Sequence, residues 1–384
     1  MGKLCRRTER QNFMKVAFIV QEDWLFQHFG VRNFFVSIAK CLECHGVSID
    51  FCFFRQQRAA LLWYRSYVSS EDFFSTEKET TSGLGHSYAE LQNISTSIQS
   101  VTQFLGTSID HLYDACIVTN PWLISADLGL YKTKNIMICH DVIANLFTLG
   151  DVTVAPWGYA HNCGYEFAKK NNFHFLSNSK KVDEDIAEFY APARHSFLPV
   201  CRPYAFFDVK YARDQQKENA VLLAAPFDMR KGIEEMPAIL NGALNSFDRL
   251  YIFGTPRCGE AMYMEFFNNI KVKDIIYFNK ITSQDLIELY KKCKVLFFPS
   301  LSEGLGLPII EAQLCGCRVL TRNTMPMNQL LCHGSRVMKD SSAENIAILS
   351  KMLSEDFDYE KLAQEADRKF SLEKVYNHIM EILH

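Results

Sequence analysis

The sequence predicts an α/β protein of two doubly wound units, on three observations. Short apolar runs alternate with amphipathic stretches, the alternation occurs in both halves of the chain, and a polar segment separates the halves. The 384 residues, 48% hydrophobic and 22% charged, suffice for two cores of roughly 100 to 200 residues each. In the first half, Val16–Val20, Ser48–Phe54, Ala115–Thr119, Asn135–Cys139 and His174–Ser177 read as buried strands. Arg32–His45, Tyr88–Phe104 and Trp157–Asn171 have helical spacing between them. Val182–Phe189 follows as a helix with Ser179 or Asn178 placed to cap it.

The stretch CRPYAFFDVKYARDQQKEN, Cys201–Asn219, turns polar just before AVLLAAP, so the boundary belongs there. It divides the chain into 1–204 and 205–370. Strands are expected at Val221–Ala225, Arg249–Phe253, Ile275–Phe278, Val295–Pro299 and Arg318–Thr321. Helices are expected at Ile233–Leu240, Glu260–Asn268, Ser283–Cys293 and Pro308–Leu314, and Glu373–Leu383 has helical spacing at the end. Arg55–Ser87 is the least periodic stretch and is too long for a default connection.

Charge and cysteine usage exclude several classes. A net charge of -3 gives no global basic signal, so nucleic acid is a poor partner. The apolar run Val16–Val20 is too short for a secretory core or a membrane span and reads as the first strand. Thirteen scattered cysteines without an export signal favour reduced thiols and a cytoplasmic protein, with peripheral membrane contact left open. Cys41, Cys44 and His45 spell CLECH, the attachment spacing of a c-type haem. Inside an amphipathic helix ending at Gly46, they read as packing.

The most informative stretch is PSLSEGLGLPIIEAQLCGCRVLT, Pro299–Thr321. Pro308 suits the first turn of a helix because its missing N–H would be unpaired there anyway. Free amides of that turn, the positive end of the helix dipole, and Gly304 and Gly306 without side chains together make an anion site. A nucleotide diphosphate is the natural guest, lined by Gly304, Leu305, Gly306 and Leu307. Glu303 would face what hangs from the outer phosphate, and Glu311 could accept from a ribose, since one carboxylate takes two adjacent hydroxyls.

This pair of glutamates in an EGLGLPIIEA context closely resembles the donor-sugar signature of retaining glycosyltransferases of family four, mannosyltransferase-like members included. Two bare glutamates would be a weak match; the full context is specific. The resemblance implies a GT-B fold, two Rossmann-like domains facing a central cleft, with residues 371–384 crossing back to the first domain. It implies a retaining, metal-independent hexosyltransferase. The enzyme would use a GDP-, UDP- or dTDP-linked sugar and need no cofactor. Its acceptor would be a hydroxyl of a polysaccharide, lipid-linked glycan or glycoprotein glycan, with Arg55–Ser87 an acceptor-facing loop or partly disordered. The alternative is a GT-B scaffold or nucleotide-sugar-binding protein that has lost catalysis, and a third reading is another enzyme on the same fold, such as a nucleotide-sugar epimerase or a phosphorylase.

Further residues follow from the same resemblance. In FDMRKGIEEM, Arg230 and Lys231 stand at a helix start where two cations could clamp a diphosphate. The family usually has an arginine five positions before this lysine; here that position is Pro226. His140 and Asp141 follow the apolar strand NIMIC, and the resemblance places them at the donor sugar, His140 orienting a hydroxyl and Asp141 fixing its surroundings. Gly30 would let backbone amides approach donor or acceptor, and Ile281 could pack on the base. Cys315 and Cys317 fall where the family has small packing residues. The pair Asp183 and Asp185 lies in a predicted helix, not at a strand end, so no required metal is expected.

Overall fold

A computed structural model describes residues 14–21, 30–54, 67–69, 113–123, 134–142, 155–211, 215–256 and 258–384. The chain divides into two compact units, Met1–Tyr204 with Leu372–His384, and Ala205–Ser371. In the first unit the order is β1 (Lys15–Gln21), α1 (Gly30–Cys44), β2 (Ser48–Phe54), β3 (Tyr67–Ser69), β4 (Ala115–Val118), β5 (Lys134–Cys139), α2 (Ala155–Lys170), β6 (His174–Ser177), α3 (Lys180–Tyr190) and β7 (His195–Phe197). The strands lie in the order β3-β2-β1-β4-β5-β6-β7, all parallel except the edge strand β3. Because β4 and β5 are covered on both faces, nearly every residue in them is apolar and buried.

Ser179, not Asn178, caps α3 by accepting from the Val182 amide at 3.3 Å. Asp183 and Asp185 both lie on that helix and pair with His195 and Lys181. Tyr165, Phe175, Val182, Ile186 and Tyr190 join the sheet in one core that fixes α2 and α3. Of the CLECH residues, Cys41 and His45 pack on the terminal helix, the Cys41 thiol reaching the Leu372 carbonyl at 3.3 Å and His45 stacking on Tyr376 with centroids 4.2 Å apart, while Cys44 is exposed.

The second unit runs β8 (Glu218–Ala224), α4 (Met236–Gly242), β9 (Arg249–Phe253), α5 (Glu260–Asn269), β10 (Ile275–Phe278), α6 (Ser283–Lys292), β11 (Cys293–Phe298), α7 (Leu307–Leu314), β12 (Arg318–Thr321), β13 (Arg336–Val337), α8 (Ser342–Ser354) and α9 (Tyr359–Lys369). The terminal helix α10 (Leu372–Leu383) packs on α1 of the first unit, burying Val375, Ile379 and Leu383 at a spacing of one turn. The second sheet is wholly parallel, in the order β10-β9-β8-β11-β12-β13. That is the dinucleotide-fold order, whose reversal of direction lies between β8 and β11. Ligands of such sheets bind at the carboxyl ends of the two strands flanking that point.

Two expectations change. The helix expected at Ile233–Leu240 begins only at Met236, and Arg230 and Lys231 lie instead in a single 3-10 turn, Met229–Lys231. Gly232 is the cause: its φ of +71° breaks helical continuity, and Pro237 in the first turn sets the new start. Within Arg55–Ser87 the described residues Tyr67–Ser69 form β3, and the remainder, like the helix expected at Tyr88–Phe104, lies outside the described residues.

Candidate active site

The Pro299–Thr321 segment connects β11 to β12 at the switch point of the second sheet. Gly306 precedes α7 with φ +95°, a conformation that side-chain-bearing residues rarely adopt, and Pro308 occupies the first turn. Leu305, Ile309 and Ile310 are buried and anchor the turn, while Gly304 and Leu307 are half-buried at its surface. Ile309 donates to the Gly306 carbonyl at 3.0 Å. No protein acceptor among the described residues takes the Leu307 N–H, so an amide at the positive helix end is left for an anion.

Lys231 and Glu303 meet as an ion pair, each side chain about one-sixth exposed. The ammonium also lies 4.9 Å from the Phe298 ring centroid, which fixes the lysine stem along β11. Both grips on Glu303 fall on one oxygen: Lys231 and the Ser300 hydroxyl, at 2.6 Å, donate to Oε1. Close approach of the two loops depends on Gly232, where a Cβ would stand 2.5 Å from the Pro299 carbonyl oxygen. Arg230 forks onto Asp228, with Nη2 3.0 Å from one carboxylate oxygen, and its carbonyl accepts from Leu301 at 2.7 Å. Burial pulls Asp228 upward, but the Arg230 bonds outweigh it and hold the carboxyl below its usual range.

Arg322, just past β12, donates to the Pro299 carbonyl at 3.0 Å and pairs with Glu235. A third fixed cation therefore stands on the loops around the β11 end. Pro226, where the resemblance led to an arginine being expected, is buried just past β8 and brings no charge there.

Glu311 lies on α7 and is nearly buried, accepting from the Tyr290 hydroxyl at 3.0 Å. Burial pushes its carboxyl up to about 7 against the lowering effect of that bond. Ile281 is half-buried between β10 and α6, just before the Thr282 cap of that helix. Cys315 and Cys317 are buried beside Lys217, whose ammonium spans the Tyr290, Cys293 and Cys315 carbonyls and packs the ends of α6 and α7 together.

In the first unit His140 follows β5 and is held on three sides. Its Nε2 lies 2.9 Å from the Thr119 carbonyl, its own carbonyl accepts from Asn178 at 2.9 Å, and Phe34 meets the ring edge-on. A carbonyl only accepts, so Nε2 carries the proton and Nδ1 keeps its lone pair. Burial lowers the imidazole to about 4, so it is neutral at pH 7. Asp141 is half-buried beside it, and its carbonyl takes the Tyr165 hydroxyl at 3.5 Å. Gly30 is exposed at the first position of α1.

Within the second unit the structure thus brings Lys231 to Glu303 and Arg230 to the loop beside them, while Glu311 meets Tyr290 further along α7. Sequence reading did not single out Ser300, Tyr290 or Arg322, and considered Asn178 only as a helix cap, not as the donor to the His140 carbonyl. For Ser300 a signal existed, since a serine three positions before a glutamate can reach back to it across a turn. The described residues include no group of three or more side chains suited to a metal, and no described helix is long and apolar enough to cross a membrane.

Residues 259–369 match the sequence profile of the family Glycosyl transferases group 1. The chain is similar to the serotype-specific mannosyltransferase WbdA of Escherichia coli, 32% identical over 93 residues, which are 24% of this chain and 11% of WbdA. The chain therefore spans about a tenth of the length of that curated relative. Among solved structures, WaaG, a glycosyltransferase involved in lipopolysaccharide biosynthesis, is 16% identical with a TM-score of 0.61, over 96% of this chain and 99% of WaaG. Anabaena HepE in complex with UDP and glucose is 14% identical with a TM-score of 0.63, over 96% and 99%. At such identities the likeness is one of fold.

Proposed function

We propose that this chain, which carries a Glycosyl transferases group 1 domain on a GT-B fold, moves a hexose from a nucleotide-diphosphate sugar to a hydroxyl of a glycan or glycoconjugate. One observation carries the reading. At the switch point, a left-handed Gly306, the untaken Leu307 amide and the Lys231–Glu303 pair together offer an anion cradle with a carboxylate at its mouth. Mannose is the proposed sugar, supported by the WbdA likeness and the EGLGLP sequence, and the UDP-bound neighbour HepE makes UDP the competing nucleotide to GDP.

In this reading the diphosphate takes the Leu307 amide and the Lys231 ammonium, and Glu303 meets the sugar with the oxygen that Ser300 does not hold. Glu311 accepts from the ribose with the oxygen that Tyr290 does not use, Ile281 flanks the base, and Gly304 and Leu305 shape the cradle. The Nδ1 lone pair of His140 accepts from a sugar hydroxyl, Asp141 steadies that turn, and Gly30 gives backbone access on the first unit. Lys231, with Arg230 beside it, offsets charge that builds on the leaving phosphate.

Transfer with retention is proposed to follow a same-face route. A double displacement needs a nucleophilic carboxylate about 5 Å from its acid partner. Glu303 is gripped through one oxygen by Lys231 and Ser300, and Glu311 is sunk against Tyr290, so neither is presented as such a nucleophile. The leaving phosphate then takes the acceptor proton, and no metal is required. The activity is proposed to be cytoplasmic and to serve polysaccharide assembly.

The test is a thermal-shift panel of GDP-mannose, UDP-glucose, UDP-N-acetylglucosamine and dTDP-rhamnose, followed by assay of the stabilising donor for slow hydrolysis and transfer. Stabilisation with turnover supports the enzyme. Pro226 in place of arginine, with Arg230 turned onto Asp228, favours the scaffold as the second reading, and binding without hydrolysis would establish it.

A further inference from the structure

We infer that Ser300 is a positioning residue for Glu303, holding one carboxylate oxygen so that the other is aimed at the donor sugar. The inference rests on the transferase reading above. Ser300 is 1% exposed at the end of β11, and three acceptors surround its hydroxyl. Glu303 Oε1 lies at 2.6 Å, the Arg230 carbonyl at 3.1 Å and the Ser302 carbonyl at 3.4 Å. A hydroxyl has one hydrogen to give. The shortest contact is also the charged one, and charge-assisted bonds are about twice as strong as neutral ones, so the proton goes to Glu303.

The consequence is directional. Lys231 donates to the same Oε1, and no donor among the described residues reaches Oε2. A carboxylate held by two donors on one oxygen cannot swing about its stem, and its second oxygen stays open to a hydroxyl. When a diphosphate draws Lys231 away, Ser300 is the donor that remains on Oε1. The Leu301 amide, on the Arg230 carbonyl at 2.7 Å, ties the Ser300 backbone to the Arg230–Lys231 turn, so arrival of a phosphate at that turn is transmitted to Glu303 through this junction.

The experiment measures kcat, donor KM and nucleotide Kd for Ser300→Ala and Ser300→Gly in the full chain, with Glu303→Gln beside them. GDP-mannose is the donor, or UDP-glucose if the wild type turns over that one. Loss of a hydrogen bond to a charged group corresponds to about a ten-fold or greater fall in rate when the bond matters in the transition state. We expect kcat to fall by that factor in both serine variants, with KM and Kd within about two-fold of wild type. If Glu303→Gln abolishes turnover while both serine variants keep kcat within about two-fold, the Ser300 assignment fails alone. A loss confined to KM or Kd also overturns it. If Glu303→Gln leaves kcat intact in a protein that still binds nucleotide, the transferase reading of Glu303 fails instead.

Discussion

Glu311 offers a test that reads directly on its proposed role. Its carboxyl is moved from 4.5 to about 7 by burial, so ionising it in the folded, empty protein costs about 3 kcal/mol more than in water. Because the folded value is raised, the unfolded chain ionises first: folding stability is fully present below about 4.5 and is lost progressively as pH rises toward 7. A ribose changes that balance, since two hydroxyls donating to the carboxylate favour its charged form. Donor binding should therefore release a proton, and affinity should rise with pH. With half-ionisation near 7, the charged fraction grows from about one-tenth at pH 6 to about nine-tenths at pH 8, a change of about ten-fold in Kd. Calorimetry with an intact nucleotide sugar is the assay, because its esterified diphosphate has no phosphomonoester proton titrating near 6. Glu311→Gln should bind more weakly at pH 8 and show no such slope. A wild-type Kd flat across this range, or the same slope in Glu311→Gln, would refute the ribose contact.

Other perturbations separate catalysis from scaffold. Glu303→Ala should lower kcat by roughly a hundred-fold with smaller changes in donor KM, measured by donor hydrolysis. Lys231→Met removes both a phosphate cation and the partner of Glu303, so nucleotide Kd should rise by about ten-fold or more while kcat also falls. Gly232→Ala introduces a Cβ 2.5 Å from the Pro299 oxygen at φ +71°, and should destabilise by roughly 1–3 kcal/mol, read as a lowered thermal midpoint. His140 is depressed to about 4 from 6.5, so the unfolded chain binds its proton first and folding stability rises between about pH 4 and 6.5. Urea melts at pH 4.5 and 7 should show a smaller pH effect in His140→Gln, the difference being at most about 3 kcal/mol; an unchanged difference would argue that His140 is not buried neutral.

What the sequence disclosed and what it hid divide along a physical line. The parallel strands were legible because burial on both faces leaves a continuous apolar run, as in NIMIC and VLFF, that no polar pattern interrupts. The start of α7 was legible because Pro308 and Gly306 are backbone signals, and backbone preferences act locally. Short edge strands such as β7, whose His195 and Phe197 are exposed, carry no such run and were not expected. The start of α4 was misplaced because helical propensity in IEEMPAIL says nothing of Gly232, whose left-handed turn is set by contact with Pro299 far away in the chain. Site partners follow the same rule. Tyr290 reaches Glu311 only because α6 and α7 flank β11 on consecutive crossovers, and Arg322 reaches Pro299 because β11 and β12 are neighbours. Each contact is long in sequence and short in space, so it is a property of strand order. Strand order is also what lets Arg322, just past β12, stand on the loop that leaves β11, one strand away, without any trace in the local motif.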